Sequence, residues 1–154
     1  MNDKNYDSKK DTKKHIEIVG NFISTIGINL EYRKRYHDAS KLKPSEKEMY
    51  DKFVPLLREL TYGSDEYKES LKEMGIALDH HYKHNSHHPE HYENGINGMN
   101  LMDIVEMFCD WQAAVLRHDD GDFVESMKIN KQRFDMSDQL YDIFMNTFQD
   151  LIAI

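Results

Sequence analysis

Apolar residues recur along this chain at helical rather than strand spacing. Ile16, Val19, Ile23, Ile26 and Leu30 step by three and four, which predicts a helix that buries one side, capped by Asp11 or Thr12. Gly27, followed by Asn29, predicts a break or bend before a more polar helical segment ending near His37 and Asp38. Pro44-Ser45-Glu46-Lys47-Glu48 contains a Ser-x-x-Glu capping box, so a second helix is expected from Ser45, with Phe53, Leu56, Leu57 and Leu60 on its apolar face. Tyr62-Gly63-Ser64-Asp65 reads as a stop followed by a new cap. Tyr67, Leu71, Met74 and Leu78 then mark a helix running to about His84.

From Asn85 to Asn100, the Asn, Gly and Pro content excludes a long regular element. Leu101 to about Leu116 is apolar nearly all round and reads as a central buried helix. Asp119-Asp120-Gly121-Asp122 breaks the chain, residues 123–133 look helical, and Ser137 can cap a last helix carrying Leu140, Ile143, Phe144, Phe148 and Leu151. With only three prolines and seven glycines, all placed as punctuation between helical patterns, the expected fold is an all-α bundle of six to seven helices. The expected organisation is a polar, disordered tail over 1–11 and a single helical domain over 12–154.

Composition narrows the function classes. Seven Phe, nine Tyr and one Trp are too many aromatics for a chain that stays unfolded. A net charge of −8 disfavours a general grip on duplex nucleic acid. No stretch approaches the ~20 apolar residues of a membrane span, and the polar start lacks the apolar core of a signal peptide, so neither a membrane nor secretion is expected. The single Cys109 lies in an apolar run, which reads as a buried, unpaired thiol in a reducing cytoplasm.

The strongest chemical signal is histidine. His80, His81, His84, His87, His88 and His91 fall within a short stretch, and imidazole is the commonest protein ligand for transition metals. The competing reading is a histidine-rich surface loop without a role. Asp103, Glu106 and Asp110 step by three and four on the apolar helix, so they share a face. Carboxylates buried there need a cation, unless that face is simply the solvated one. Arg117, two turns beyond Asp110, can meet an anionic group or form an ordinary ion pair.

His15 precedes the adjacent pair His37-Asp38, and the histidine cluster and Asp110 follow. This order, together with the HDASK segment, resembles the HD-domain superfamily of metal-dependent phosphohydrolases, an all-helical bundle with that succession of ligands. At closer range, HDASK, YGSDEYKESL, HHYKHNSHHPEHY and MNLMDIVEMFCDW resemble an uncharacterised family of small phage and bacterial proteins over roughly residues 12–148. The resemblance implies that His15, His37, Asp38 and Asp110 bind a first metal. Second-metal ligands would fall on His80 or His81 and on His87 or His88, with Asp38 bridging the ions. One straight helix would hold His15 and His37 about 33 Å apart at 1.5 Å per residue, so the expected bend at Gly27 is what lets both meet one ion.

The implied activity is hydrolysis of a small phosphate ester, expected to be a nucleotide, by hydroxide activated on one or two divalent ions; Mn, Fe, Co, Ni, Zn and Mg are not distinguished. Lys41, Arg33, Arg35 and Arg117 are candidates to hold phosphate, and Glu106 or a non-ligating histidine to relay a proton. Each of these basic residues can equally be a surface charge. A homo-oligomer is compatible with this reading. The rivals are a binuclear-iron oxygenase and a non-enzymatic, metal-containing nucleotide- or partner-binding protein.

Overall fold

A computed structural model describes residues 7–61, 63–117 and 121–152. Six helices, α1 (Ser8–Tyr36), α2 (Pro44–Arg58), α3 (Asp65–His84), α4 (Leu101–Val115), α5 (Phe123–Arg133) and α6 (Asp138–Ile152), are joined by turns and three short 3₁₀ segments, with no strand among the described residues. The fold is all-α, as the spacing of apolar residues requires. The chain separates into two units, the first ending at Tyr36 and the second starting at His37.

The first unit is helix α1. It runs without interruption through Gly27, so the expected bend is absent. Glycine costs only about 1 kcal/mol in a helix interior, and the cooperativity of a 29-residue helix outweighs it. Residues 8–11, expected to fray, are also helical; the amide of Lys9 donates to Asp7 Oδ1 at 3.0 Å. Residues 1–6 of the expected tail lie outside the described residues.

In the second unit, α2 begins one residue before the expected start, with Pro44 at its first position and no side-chain cap. The Ser45 box does not form: Pro44 already presets the helical φ, and Glu46 is used elsewhere. The other starts follow the sequence signals. Ser64 Oγ accepts from Tyr67 N at 3.1 Å for α3, Asp122 Oδ1 from Val124 N at 2.7 Å for α5, and Ser137 Oγ from Leu140 N at 3.2 Å for α6. Tyr62 and Asp119-Asp120, parts of two expected breaks, lie outside the described residues, as does His118. A kink at Gly75 divides α3 and has no counterpart in the apolar pattern.

The core of this unit is one apolar cluster of Ile96, Met107, Phe108, Trp111, Phe123, Met127, Met136 and Phe144, which welds α4 to α5, α6 and the loop before α4. Phe53, Met74 and Ala77 bury the contact of α2 with α3. Met107, Phe108 and Trp111 make α4 central, yet Leu101, Cys109 and Leu116 on its other sides are exposed. Cys109 is therefore not the buried thiol that its apolar neighbours suggested: position 109 is two residues before Trp111, on the outward side of the turn. No helix among the described residues is long and apolar enough to cross a membrane.

Candidate metal centre

Four segments of the second unit bring their polar side chains together. Directly after α1, Asp38 adopts the left-handed conformation (φ 55°, ψ 14°) and turns the chain into a 3₁₀ segment, Ala39–Leu42. Aspartate is among the few residues that tolerate this region, at a cost of roughly 1–2 kcal/mol. The end of α3 supplies His80 and His81, the irregular stretch His87 and His88, and α4 Glu106 and Asp110.

Asp38 is the hub. His81 Nε2 lies 3.2 Å and His87 Nε2 3.5 Å from its Oδ1, while His37 Nε2 lies 3.5 Å from its Oδ2. Lys41 Nζ donates to Oδ2 at 2.5 Å, and Asp110 Oδ1 stands 3.5 Å from His37 Nε2. Three overlapping donor sets result: Asp38 with His81, His87 and His88; His37 with Asp38 and Asp110; and His37 with His87 and Glu106.

Two carboxylates behind the histidines decide which ring nitrogen points inward. Glu46, fully buried, accepts from His81 Nδ1 at 2.9 Å, His80 Nδ1 at 2.6 Å and Ser40 Oγ at 3.0 Å. Glu106 Oε1 lies 2.9 Å from His37 Nδ1 and 3.3 Å from His87 Nδ1. An ionised carboxylate can only accept, so Nδ1 of a neutral histidine facing it carries the proton and Nε2 keeps its lone pair. At each of these rings Nε2 is the atom turned toward Asp38, and it becomes a ligand atom where the ring is neutral. His88 Nε2 sits 2.9 Å from His81 Nε2 and completes the deeper set.

Charge and burial agree with a cation-seeking site. Burial opposes ionisation of Asp38, yet His81, His87 and Lys41 together hold its carboxyl far below the usual range. Asp110 is likewise lowered against burial by His37. His37 is raised to about 10 by its hydrogen bonds to Asp110 and Glu106. His88 is pushed down to about 3 by burial and by His87 and His81, so it is neutral at physiological pH. Among the described residues, Asp38 Oδ1 and His87 Nε2 are buried side-chain atoms with no hydrogen-bond partner. Both belong to the deeper donor set, and a buried acceptor left unpaired costs about 1–3 kcal/mol. In each of the three sets the imidazole and carboxylate ligand atoms lie within 4.8 Å of one another, so these residues could hold a metal ion.

The remaining expected residues are placed as follows. His80 serves Glu46 and belongs to none of the donor sets. His84 Nδ1 bonds the carbonyl of His80, and His91 Nδ1 that of Tyr82, so both brace backbone. Asp103 is fully buried without needing a cation: it accepts from Ser86 Oγ at 2.6 Å, Tyr92 OH at 2.7 Å and Asn100 N at 3.0 Å. It thereby ties the irregular stretch to the start of α4, where Asn100 returns the bond in a capping box. Arg117 lines a different cavity of about 480 Å³ with Leu57, Trp111 and Asn130, and no residue of the donor sets lines it. His15, Arg33 and Arg35 lie on α1 in the first unit, and the three donor sets draw only on the second.

Sequence reasoning missed Glu46 by giving its neighbourhood to a helix cap. The signal was present: Glu46 stands in register with Tyr50, Phe53 and Leu57 at steps of four, three and four, a carboxylate on the buried stripe of α2. A family model matches residues 4–150. The chain belongs to DUF5662, a family of unknown function. No curated protein and no solved structure matches this DUF5662 chain significantly.

Proposed function

We propose that this DUF5662 protein is a metal-dependent phosphohydrolase of the HD type, acting on a small phosphate ester such as a nucleotide. The observation that carries the reading is the division of Asp38 between two donor sets: Oδ1 faces His81 and His87, while Oδ2 faces His37. A carboxylate with each oxygen turned to a different group of ligands suits a pair of ions. His37, Asp38 and Asp110 would hold one, and Asp38, His81, His87 and His88 the other. Divalent ions in such a site lower the pKa of water toward ~7 and neutralise phosphoryl oxygens.

The chain's own groups supply the rest. Lys41, fixed beside Asp38 and partly exposed, offers a cation for a phosphoryl oxygen at the edge of the centre. Glu106 holds His37 and His87 in orientation and can accept a proton through either ring. Glu46 does the same for His81 from the buried side. The negative charge of the chain, −8, favours a small substrate over a long polyanion.

Metal analysis of protein purified without chelator, followed by a hydrolysis screen of nucleotides and simple phosphate esters, tests the reading. About two ions per chain and turnover lost on chelation are expected. Oxygen uptake without phosphate release would favour the iron oxygenase, and tight nucleotide binding without turnover the binding protein.

A further inference from the structure

A single helix has no interior, so α1 cannot cover its own apolar face, and none of its residues is buried. Residues 18–30 carry no charged side chain, and Ile16, Phe22 and Ile23 are 63%, 68% and 64% exposed. The spacing along that face indicates what covers it. Lys9, Thr12, Ile16, Val19, Ile23, Ile26, Leu30 and Arg33 alternate steps of three and four without a break, the a and d register of a coiled coil. The run from Ile16 to Leu30 is apolar, with Lys9 and Thr12 at one end of the seam and Arg33 at the other. A strict average of 3.5 residues drifts about 20° per heptad on a straight helix, so the seam stays in contact with a helix that winds with it.

The flanking positions fit a copy of the same helix. Ser8, His15, Phe22 and Asn29 fall at position g, and Lys13, Gly20, Gly27 and Lys34 at position e. In a parallel, in-register assembly each g residue lies beside the e residue five positions later on its neighbour. Ser8 then meets Lys13, His15 meets Gly20, Phe22 meets Gly27 and Asn29 meets Lys34. No like charges face each other, and both rings face a glycine. Nothing beyond the local helix backbone lies within 4 Å of where a Cβ would stand at Gly20 or Gly27, so the space for each ring is open. Glycine weakens a helix interior, and seating a neighbour's ring is a physical reason for two glycines seven residues apart. The seam also sets the number of strands. β-Branched residues at both a (Ile16, Ile23) and d (Val19, Ile26) favour three strands over two.

We propose that α1 is an oligomerisation helix that pairs in parallel with α1 of two further copies of this chain, as a three-stranded coiled coil. Phe22 of each chain is seated over Gly27 of the partner subunit, and Ile28, at position f, stays on the outside. The assembly uses no residue of the metal-binding donor sets.

The full chain is examined by light scattering as wild type, Ile23→Lys and Ile28→Lys, with helicity followed by circular dichroism. The wild type is expected to be a trimer. Ile23→Lys is expected to fall threefold in mass to a monomer, because three lysines cannot share the apolar axis. Ile28→Lys, the same substitution on the outer face of the same helix, is expected to remain a trimer. Orientation is read from Thr12→Cys in a Cys109→Ser background, which removes the exposed native thiol. A parallel assembly sets equal d positions side by side, so oxidation is expected to join the chains through the introduced cysteine. A wild-type monomer, whose α1 is then covered within the chain or by a different partner, overturns the proposal. So do a dimer, a trimer that survives Ile23→Lys, equal loss of the trimer in Ile28→Lys, or the absence of a cross-link at position 12.

Discussion

Glu46 is the position where a single substitution distinguishes a prepared metal site from a cluster of ordinary polar contacts. Its carboxylate is fully buried and accepts from two imidazoles and one hydroxyl. Burial alone raises its pKa, but His80, His81 and Ser40 outweigh this and hold it ionised. Glu46→Ala leaves those donors facing a void, and removing one member of such a buried network costs about 3–5 kcal/mol. Glu46→Gln keeps the volume and one acceptor oxygen, so its stability loss is expected near 1–3 kcal/mol, within reach of a typical domain stability of about 5–15 kcal/mol. The effect on metal is separate. With only one neutral amide oxygen left for two imidazoles, His81 is freer to carry its proton on Nε2, the atom 3.2 Å from Asp38 Oδ1. Loss of such a supporting group lowers metal affinity about 10–100-fold, or about 1.4–2.7 kcal/mol. Calorimetric titration with zinc or cobalt reads the affinity, and urea unfolding in chelator reads the stability. A folded Glu46→Gln variant with wild-type affinity and stoichiometry would refute the argument that Glu46 prepares His81.

The pH dependence of metal binding has a definite sign. His37, raised to about 10, stays protonated through neutral pH, and the protonated ring cannot ligate; apparent affinity therefore rises with pH, about tenfold per unit for one proton, until about pH 10. A chelator competition that is flat between pH 7 and 9 would contradict this, and His37→Gln is expected to lose the slope. Replacing His81, His87 or His88 singly by Ala is expected to remove about one ion per chain, whereas His80→Ala weakens binding without removing an ion; mass spectrometry of metal content separates the two. Asp103→Ala is expected to cost about 2–4 kcal/mol in urea unfolding, because three donors lose their acceptor, while metal stoichiometry stays unchanged. Cys109 is exposed, so native protein is expected to take up one equivalent of a thiol reagent. It will do so more slowly than a free thiol, because partial burial, Glu106 and Asp110 raise its pKa; complete protection would contradict its placement.

The periodicity of apolar residues alone determined that the chain is helical, and local capping chemistry determined where most helices start. Both are short-range effects: Ser64, Asp122 and Ser137 satisfy amides within three residues of themselves. The same reasoning erred where long-range contacts outweighed local preference. Glu46 left its expected capping role for His80 and His81, more than thirty residues away, and Cys109 turned outward from an apolar run because Met107, Phe108 and Trp111 already filled the inner side of α4. Likewise, Gly27 only lowers helix propensity, and the cooperative length of α1 outweighed it. The histidines, Asp38 and Asp110 were legible as candidates because their residue types are rare in company. Which of them share an ion, which nitrogen each presents, and that Asp103 binds a loop rather than a cation depend on distances between segments far apart in the chain. Only the tertiary structure sets those distances.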